Sequence, residues 1–245
     1  MFTLASAPLP VERIGGSIMR LFLAAFWAAL PYAFLGNLLF VLAAYAVMLF
    51  KPEDGLAASP LWGSLVAAVL LAYPAFMAAA LYRVQAAAEQ HAVTRMEPLR
   101  AGARYFVPCF IGCVAYCIPV AAGLVLLILP GLFLMVLLVF WWPALVLDGR
   151  GLSGSFKASA RLVWGRWWRA VAGLLPVVTV YVCSAMLEKT TDAWPDDDML
   201  QLAAFVLGWF AMVAVSLFTC SAVVVTYRDL KLRAATAGSL PVCSA

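Results

Sequence analysis

Charged and polar positions fall in short blocks between long uninterrupted apolar runs, a spacing set by the thickness of a membrane. A helix rises about 1.5 Å per residue and the hydrocarbon core is about 30 Å thick, so each crossing takes about 20 apolar residues. The runs 21–50, 61–82, 168–187 and 199–227 each read as one span, the first and last with length to spare for tilt or an interfacial start. The run 106–147 holds no charge and would reach roughly 60 Å as one helix, so it has to turn back. Near its middle stands Pro130-Gly131, where proline lacks a backbone donor and glycine permits the dihedrals of a tight turn. A hairpin there divides the run into spans 106–129 and 131–147. The expected fold is an all-α membrane protein of six transmembrane helices, one integral membrane domain over 1–245. The first run is too long for the apolar region of a signal peptide and no A-x-A-like cleavage signal follows it, so it is expected to remain a span.

Composition excludes a soluble reading: 66% of residues are hydrophobic and 11% charged, where soluble domains carry about 25% charge. Five of the six cysteines lie in apolar runs, so no disulfide framework is expected. The net charge of +4 matters through its placement, and nucleic acid is not an expected partner. Fourteen cations fall in the terminal blocks and the second and fourth loops: Arg13, Arg20, Arg83, Arg95, Arg100, Arg104, Arg150, Lys157, Arg161, Arg166, Arg169, Arg228, Lys231 and Arg233. The opposite set holds two, Lys51 and Lys189, beside Glu53, Asp54, Glu188, Asp192 and the run Asp196 to Asp198. Positive loops are retained in the cytoplasm, which predicts both termini there. Tyr82, Tyr105, Trp141, Trp142, Trp164, Trp167, Trp168 and Tyr227 then mark the inner interface, with Trp62 and Trp194 at the outer one.

The two large basic segments resemble each other. Pro98-Leu-Arg-Ala-Gly-Ala-Arg104-Tyr-Phe leads to Pro119, and Ser155-Phe-Lys-Ala-Ser-Ala-Arg161-Leu-Val leads to Pro176, each proline fifteen residues after its arginine. A weaker copy, Ile14-Gly-Gly-Ser-Ile-Met-Arg20-Leu-Phe, precedes Pro31 by eleven. The pattern suggests three parallel repeats of a short basic interfacial helix and a membrane hairpin. In the last copy Leu152, Phe156, Val163 and Trp167 share a stripe, Lys157 and Arg161 project beside it, and Ser153 or Ser155 is placed to cap the start. That is the build of a helix with its apolar face in the acyl boundary and its cations among anionic headgroups, although the same cations also serve simply to fix topology.

From Leu129-Pro-Gly through Trp142-Pro-Ala-Leu-Val-Leu-Asp-Gly-Arg-Gly-Leu-Ser-Gly-Ser-Phe-Lys to Gly165-Arg-Trp-Trp-Arg169, the chain resembles uncharacterised bacterial inner-membrane proteins related to YciC. It is similar as well to the membrane domain joined to some glycerophosphodiester phosphodiesterases. Those families pair a span opened by Pro-Gly with a Gly-flanked charged turn and a basic helix ending in Gly-x-Trp/Phe-Trp, and Asp148 stands where an acid is common. The resemblance covers roughly 40 residues and implies a bacterial inner-membrane location and a six-helix fold, with no established activity. No phosphodiesterase domain is present, so that activity is not implied.

No residues assemble into a catalytic set, and neither cofactor nor metal is expected. His91, beside Glu89 and Arg95, reads as a solvated surface residue. Ser64, Thr179, Ser184, Ser216 and Thr219 lie in spans without an intramembrane base to activate them, and are expected to bond across helices or to their own backbone. Cys109, Cys113 and Cys117 recur every four residues and could hold a soft ion with Met135, Met186 or Met212, but a stripe of small side chains also suits close helix packing. Asp196 to Asp198 reads as a solvated loop, because consecutive positions point apart and a calcium loop alternates its ligands. Asn37 is the strongest polar group in the first span, and the spans lack the ionisable residues of an ion-coupled transporter. Passive or lipid-related traffic remains open through Pro31, Pro74, Pro119 and Pro176, each of which could open a helix.

The expectation is a non-enzymatic membrane protein of envelope organisation. Its basic, Trp-rich segments, with Arg100, Arg104, Lys157, Arg161, Arg166 and Arg169, would engage anionic lipids of the bilayer or a membrane protein partner of unknown identity. A transporter or channel for a small or lipid-like solute is the alternative.

Overall fold

The computed structural model describes residues 7–49, 60–191, 198–236 and 238, with the side chains of 43–49, 60–71, 187–188, 190–191, 198, 201–202 and 204 outside the description. Lys51, Glu53, Asp54, Asp192, Trp194, Asp196, Asp197 and Cys243 lie outside the described residues, as do the side chains of Trp62, Ser64, Glu188 and Asp198. The described chain is helical throughout: α1 Val11–Leu49, α2 Pro60–Ala88, α3 Met96–Leu126, α4 Ile128–Leu138, α5 Trp141–Val146, α6 Leu152–Val163, α7 Trp167–Thr191 and α8 Asp198–Thr236. Five stretches are long and apolar enough to cross a membrane: Val11–Leu42, Met96–Leu126, Ile128–Val146, Trp167–Met186 and Phe205–Thr236. This is a multi-pass helical membrane protein. The predicted span 61–82 falls within α2, whose side chains at 60–71 lie outside the description.

Small side chains make the centre. Ala25, Ala29 and Ala33 recur every four residues on α1 and are fully buried, as are Ala78, Ala79 and Ala80 of α2 and Cys220 and Ala222 of α8. With no hydrophobic drive between helices in lipid, such residues let backbones approach closely enough for dispersion contacts to accumulate. Gly102 of α3 shows how close: a Cβ there would come within 2.4 Å of the Ala75 carbonyl oxygen of α2.

The helices extend past the predicted span limits, α1 starting at Val11 and α8 ending at Thr236, because a polar environment does not by itself stop a helix. The basic segments also differ in build. Arg104 and Pro119 lie on one unbroken helix, α3, whereas Arg161 on α6 and Pro176 on α7 are separated by a turn at Gly165, whose φ of +79° only glycine adopts freely. Short helices ahead of three hairpins are therefore not a common feature; only α6 is a separate short basic helix among the described residues.

The turn between α3 and α4 falls at Leu127, not at Pro130-Gly131. Leu127 is extended at φ −160°, ψ 130°, and its N–H closes α3 on the Gly123 carbonyl at 3.0 Å. Pro130 sits in the first turn of α4, where a missing N–H costs nothing. Gly131 serves approach rather than turning: a Cβ there would stand 2.5 Å from the Leu124 backbone nitrogen. The tip is apolar and bare, with Val125 to Leu129 all at least 66% exposed.

Candidate functional site

The basic end of the bundle gathers the start of α1, the end of α8, the α2–α3 connection and α6. Helix α6 is positioned by a face that the protein itself covers. Ser155, Ser159, Leu162 and Val163 are buried, the Ser159 hydroxyl donates to the Leu137 carbonyl at 2.8 Å, and Phe156 stacks on Trp141 at 5.3 Å between ring centroids. Of the predicted apolar stripe, Leu152, Phe156 and Val163 lie on α6 and pack against the protein, Val163 buried and the other two half-buried, while Trp167 falls beyond the Gly165 turn on α7. Neither predicted serine caps the helix: the N-cap is Gly151 without a side-chain hydrogen bond, and the Ser155 hydroxyl donates back to the Gly151 carbonyl at 3.1 Å.

Facing away from that anchor, Lys157 and Arg161 are exposed one turn apart and make no hydrogen bond or ion pair among the described residues. With Gly154, Arg150 and Lys231 they line a cavity of about 170 Å³ between α6 and α8. A second cavity, of about 450 Å³, lies against α3 and contains Arg100 and Arg104, the latter over the Tyr105 ring at 5.7 Å. Asp148 lines both. Its carboxylate is 15% exposed and accepts from the Tyr227 hydroxyl at 2.8 Å, Lys231 Nζ at 2.8 Å and Arg150 Nε at 3.1 Å.

Arg169 and Arg166 belong elsewhere. Arg169 Nε donates at 2.9 Å to Asp229, whose side chain is 1% exposed, and Arg233 Nε donates to the same carboxylate oxygen at 3.1 Å. The other Asp229 oxygen accepts the Leu9 N–H at 2.8 Å, while Arg233 Nη2 at 2.7 Å, and Arg169 Nη2 as well, donate to the Leu9 carbonyl. This knot ties the segment before α1 to α7 and α8. Arg166 is half-buried and reaches the Arg233 carbonyl at 3.4 Å. Of the six cations singled out, the structure groups Lys157 with Arg161 and Arg100 with Arg104, and uses Arg169 inside the protein.

Sequence reasoning passed over Asp229 altogether. A signal was present: it is the lone acid among Arg228, Lys231 and Arg233, four residues before the last, at helical pairing distance. The aromatic belt divides too, with Trp141 and Tyr227 at 5% and 3% exposure serving the core, and Trp164 and Trp168 at 68% and 78% projecting outward.

The remaining candidates separate. His91 is exposed just beyond α2, its N–H on the Ala86 carbonyl at 2.9 Å. Cys109 is buried, Cys113 half-buried and Cys117 exposed, Met186 and Met212 are exposed, and among the described residues no three His, Cys, Asp or Glu side chains converge as metal ligands. Thr179, Ser184, Ser216 and Thr219 donate to carbonyls three or four residues back, at 2.8–3.0 Å. Asn37, 3% exposed, donates to Ser216 Oγ at 3.1 Å and to the Ala33 carbonyl at 2.8 Å, joining α1 to α8 inside the bundle.

A family model described as Domain of unknown function (DUF7847) matches residues 55–230, most of the chain. The chain belongs to that family. Searches of curated proteins and of solved structures give no match. The matched region contains α6, Asp148, Asp229 and the cavity cations Arg100, Arg104, Arg150, Lys157 and Arg161, while Leu9 and all of α1 precede it and Lys231 and Arg233 follow it.

Proposed function

We propose that this protein is a non-enzymatic inner-membrane protein of six spans whose basic end lies in the cytoplasm and engages anionic headgroups, serving envelope organisation. The observation that carries the reading is α6: its apolar face is used up inside the protein, which leaves Lys157 and Arg161 held outward beside exposed Trp164 and without internal counter-charges. Cations held in this way at a membrane surface are each worth about 1 kcal/mol against an anionic leaflet. α2 supplies the sixth span: it runs 29 residues, about 43 Å, enough to cross. The sequence resemblance to inner-membrane proteins related to YciC supports the location.

Topology is tested by reporter fusions. A reporter after Leu129, at the start of α4, should be exported, and one after Gly151 should stay cytoplasmic; the same side for both would overturn the six-span arrangement. Headgroup preference is tested by native mass spectrometry of protein extracted from membranes, with phosphatidylglycerol or cardiolipin expected to be retained over phosphatidylethanolamine. Retention in proportion to the bulk membrane would remove the lipid reading. The competing proposal, a transporter or channel, is weakened by α1, α2, α3 and α7 running unbroken across Pro31, Pro74, Pro119 and Pro176. Solute flux in proteoliposomes would restore it.

A further inference from the structure

The two cavities at the basic end are not equivalent. The α3 cavity is the larger, at about 450 Å³, and the α6–α8 cavity the smaller, at about 170 Å³. Four cations line the smaller cavity, Arg150, Lys157, Arg161 and Lys231, against the single carboxylate of Asp148. Two of the four, Arg150 and Lys231, are already paired with that carboxylate. Lys157 and Arg161 are left facing the space with no acid of their own.

The local backbone suits the same charge. Gly154 lies one turn before Lys157, on the cavity wall, and a Cβ there would meet nothing closer than Arg150 Cβ at 3.9 Å, so the wall is open at that point. The cavity also borders the first turn of α6, whose N-cap Gly151 supplies no side-chain acceptor for the free N–H groups of that turn. Lys157 and Arg161 of α6 thus converge with Arg150 and Lys231 on one small volume, a cationic donor set that suits the oxygens of a phosphate.

We propose that the cavity between α6 and α8 is a binding site for a phosphate group, in which Asp148 is a built-in competing anion that holds Lys231 and Arg150 until ligand arrives. This rests on the headgroup reading above and narrows it from a surface to a site. The phosphate comes from a lipid headgroup or from a soluble phosphomonoester, and both supply the same chemistry.

Isothermal titration of the full chain in uncharged maltoside detergent tests it with three probes: dihexanoyl phosphatidylglycerol, glycerol 3-phosphate and dihexanoyl phosphatidylcholine. Binding of the first two assigns the shared phosphate chemistry, and binding of phosphatidylglycerol alone assigns the headgroup; phosphatidylcholine should bind weakly. Lys157→Gln with Arg161→Gln should weaken binding about tenfold or more, since charge-assisted hydrogen bonds are lost, and Lys157→Arg with Arg161→Lys should restore most of it. Arg100→Gln with Arg104→Gln should change it by less than about threefold. Gly154→Leu fills the cavity without altering charge and should abolish binding. Asp148→Asn should tighten it by about threefold or more, because the competing charge is gone. Equal losses for the α3 and α6 pairs, tolerance of Gly154→Leu, or an unchanged or weaker affinity for Asp148→Asn would each overturn the site. Native mass spectrometry that still shows anionic lipid retention would then leave the broader headgroup reading standing, so the two failures are distinguishable.

Discussion

Replacing Asp229 with alanine should cost about 3–5 kcal/mol of stability, because it strands two guanidinium groups that were placed to meet a carboxylate with 1% exposure. Three donors lose their acceptor at once: Arg169 Nε at 2.9 Å, Arg233 Nε at 3.1 Å and the Leu9 N–H at 2.8 Å. Asparagine retains an acceptor oxygen but not the charge, and should cost less than alanine. Denaturation in mixed maltoside–dodecyl sulfate micelles measures both. Because both the N–H and the carbonyl of Leu9 are held in this knot, Asp229→Ala should also speed protease cleavage beside Leu9 relative to wild type. A difference below about 1 kcal/mol, with unchanged protease resistance, would show the knot to be solvated and replaceable.

Gly102→Leu should be comparably damaging for a different reason. Its new Cβ would meet backbone, the Ala75 carbonyl oxygen at 2.4 Å and carbon at 3.2 Å, so no rotamer change relieves the contact and α2 and α3 have to separate. Overpacking of this kind costs about 1–3 kcal/mol, and more where backbone has to move. Gly102→Ala should share most of the penalty, since the clash begins at Cβ. Gly208→Ala is the internal control: nothing lies within 4 Å of its Cβ, so the change should be neutral or stabilising by about 0.5–1 kcal/mol through helix propensity. The same micelle titration reads all three. Equal stabilities for Gly102→Ala and Gly208→Ala would refute the close approach of α2 and α3.

Membrane class and helix positions were legible because hydrophobic length is a one-dimensional property, counted along the chain without knowing any contact. The hairpin was legible for the same reason, since 106–147 is too long to cross once. Its turn was misplaced by three residues because Pro-Gly has two uses. The pair reads as a turn, yet here proline opens α4 and glycine presses against Leu124, and only the neighbouring helix distinguishes the two. The covered face of α6 shows a similar limit: an apolar stripe looks identical whether lipid or Trp141 and Leu137 lie opposite it. Arg169 looked like its neighbours in composition, and its partner Asp229 stands 60 residues away in sequence. Pairing at that separation has no signature in one chain.

The bare hairpin tip bears on how the protein is assembled. Between Val120 and Met135 there is no charged or hydrogen-bonding side chain, and the tip residues present only hydrocarbon. In the proposed topology both ends of the α3–α5 hairpin stay on the synthesising side, so nothing hydrated has to be carried across the bilayer when it enters. The Gly123–Gly131 approach, with a Cβ on Gly123 only 2.9 Å from Gly131 Cα, lets the two arms close on each other before any other helix is present. The hairpin can therefore enter as a preformed unit, driven by its own partitioning and independent of export of a loop, and later receive α6 across its returning arm.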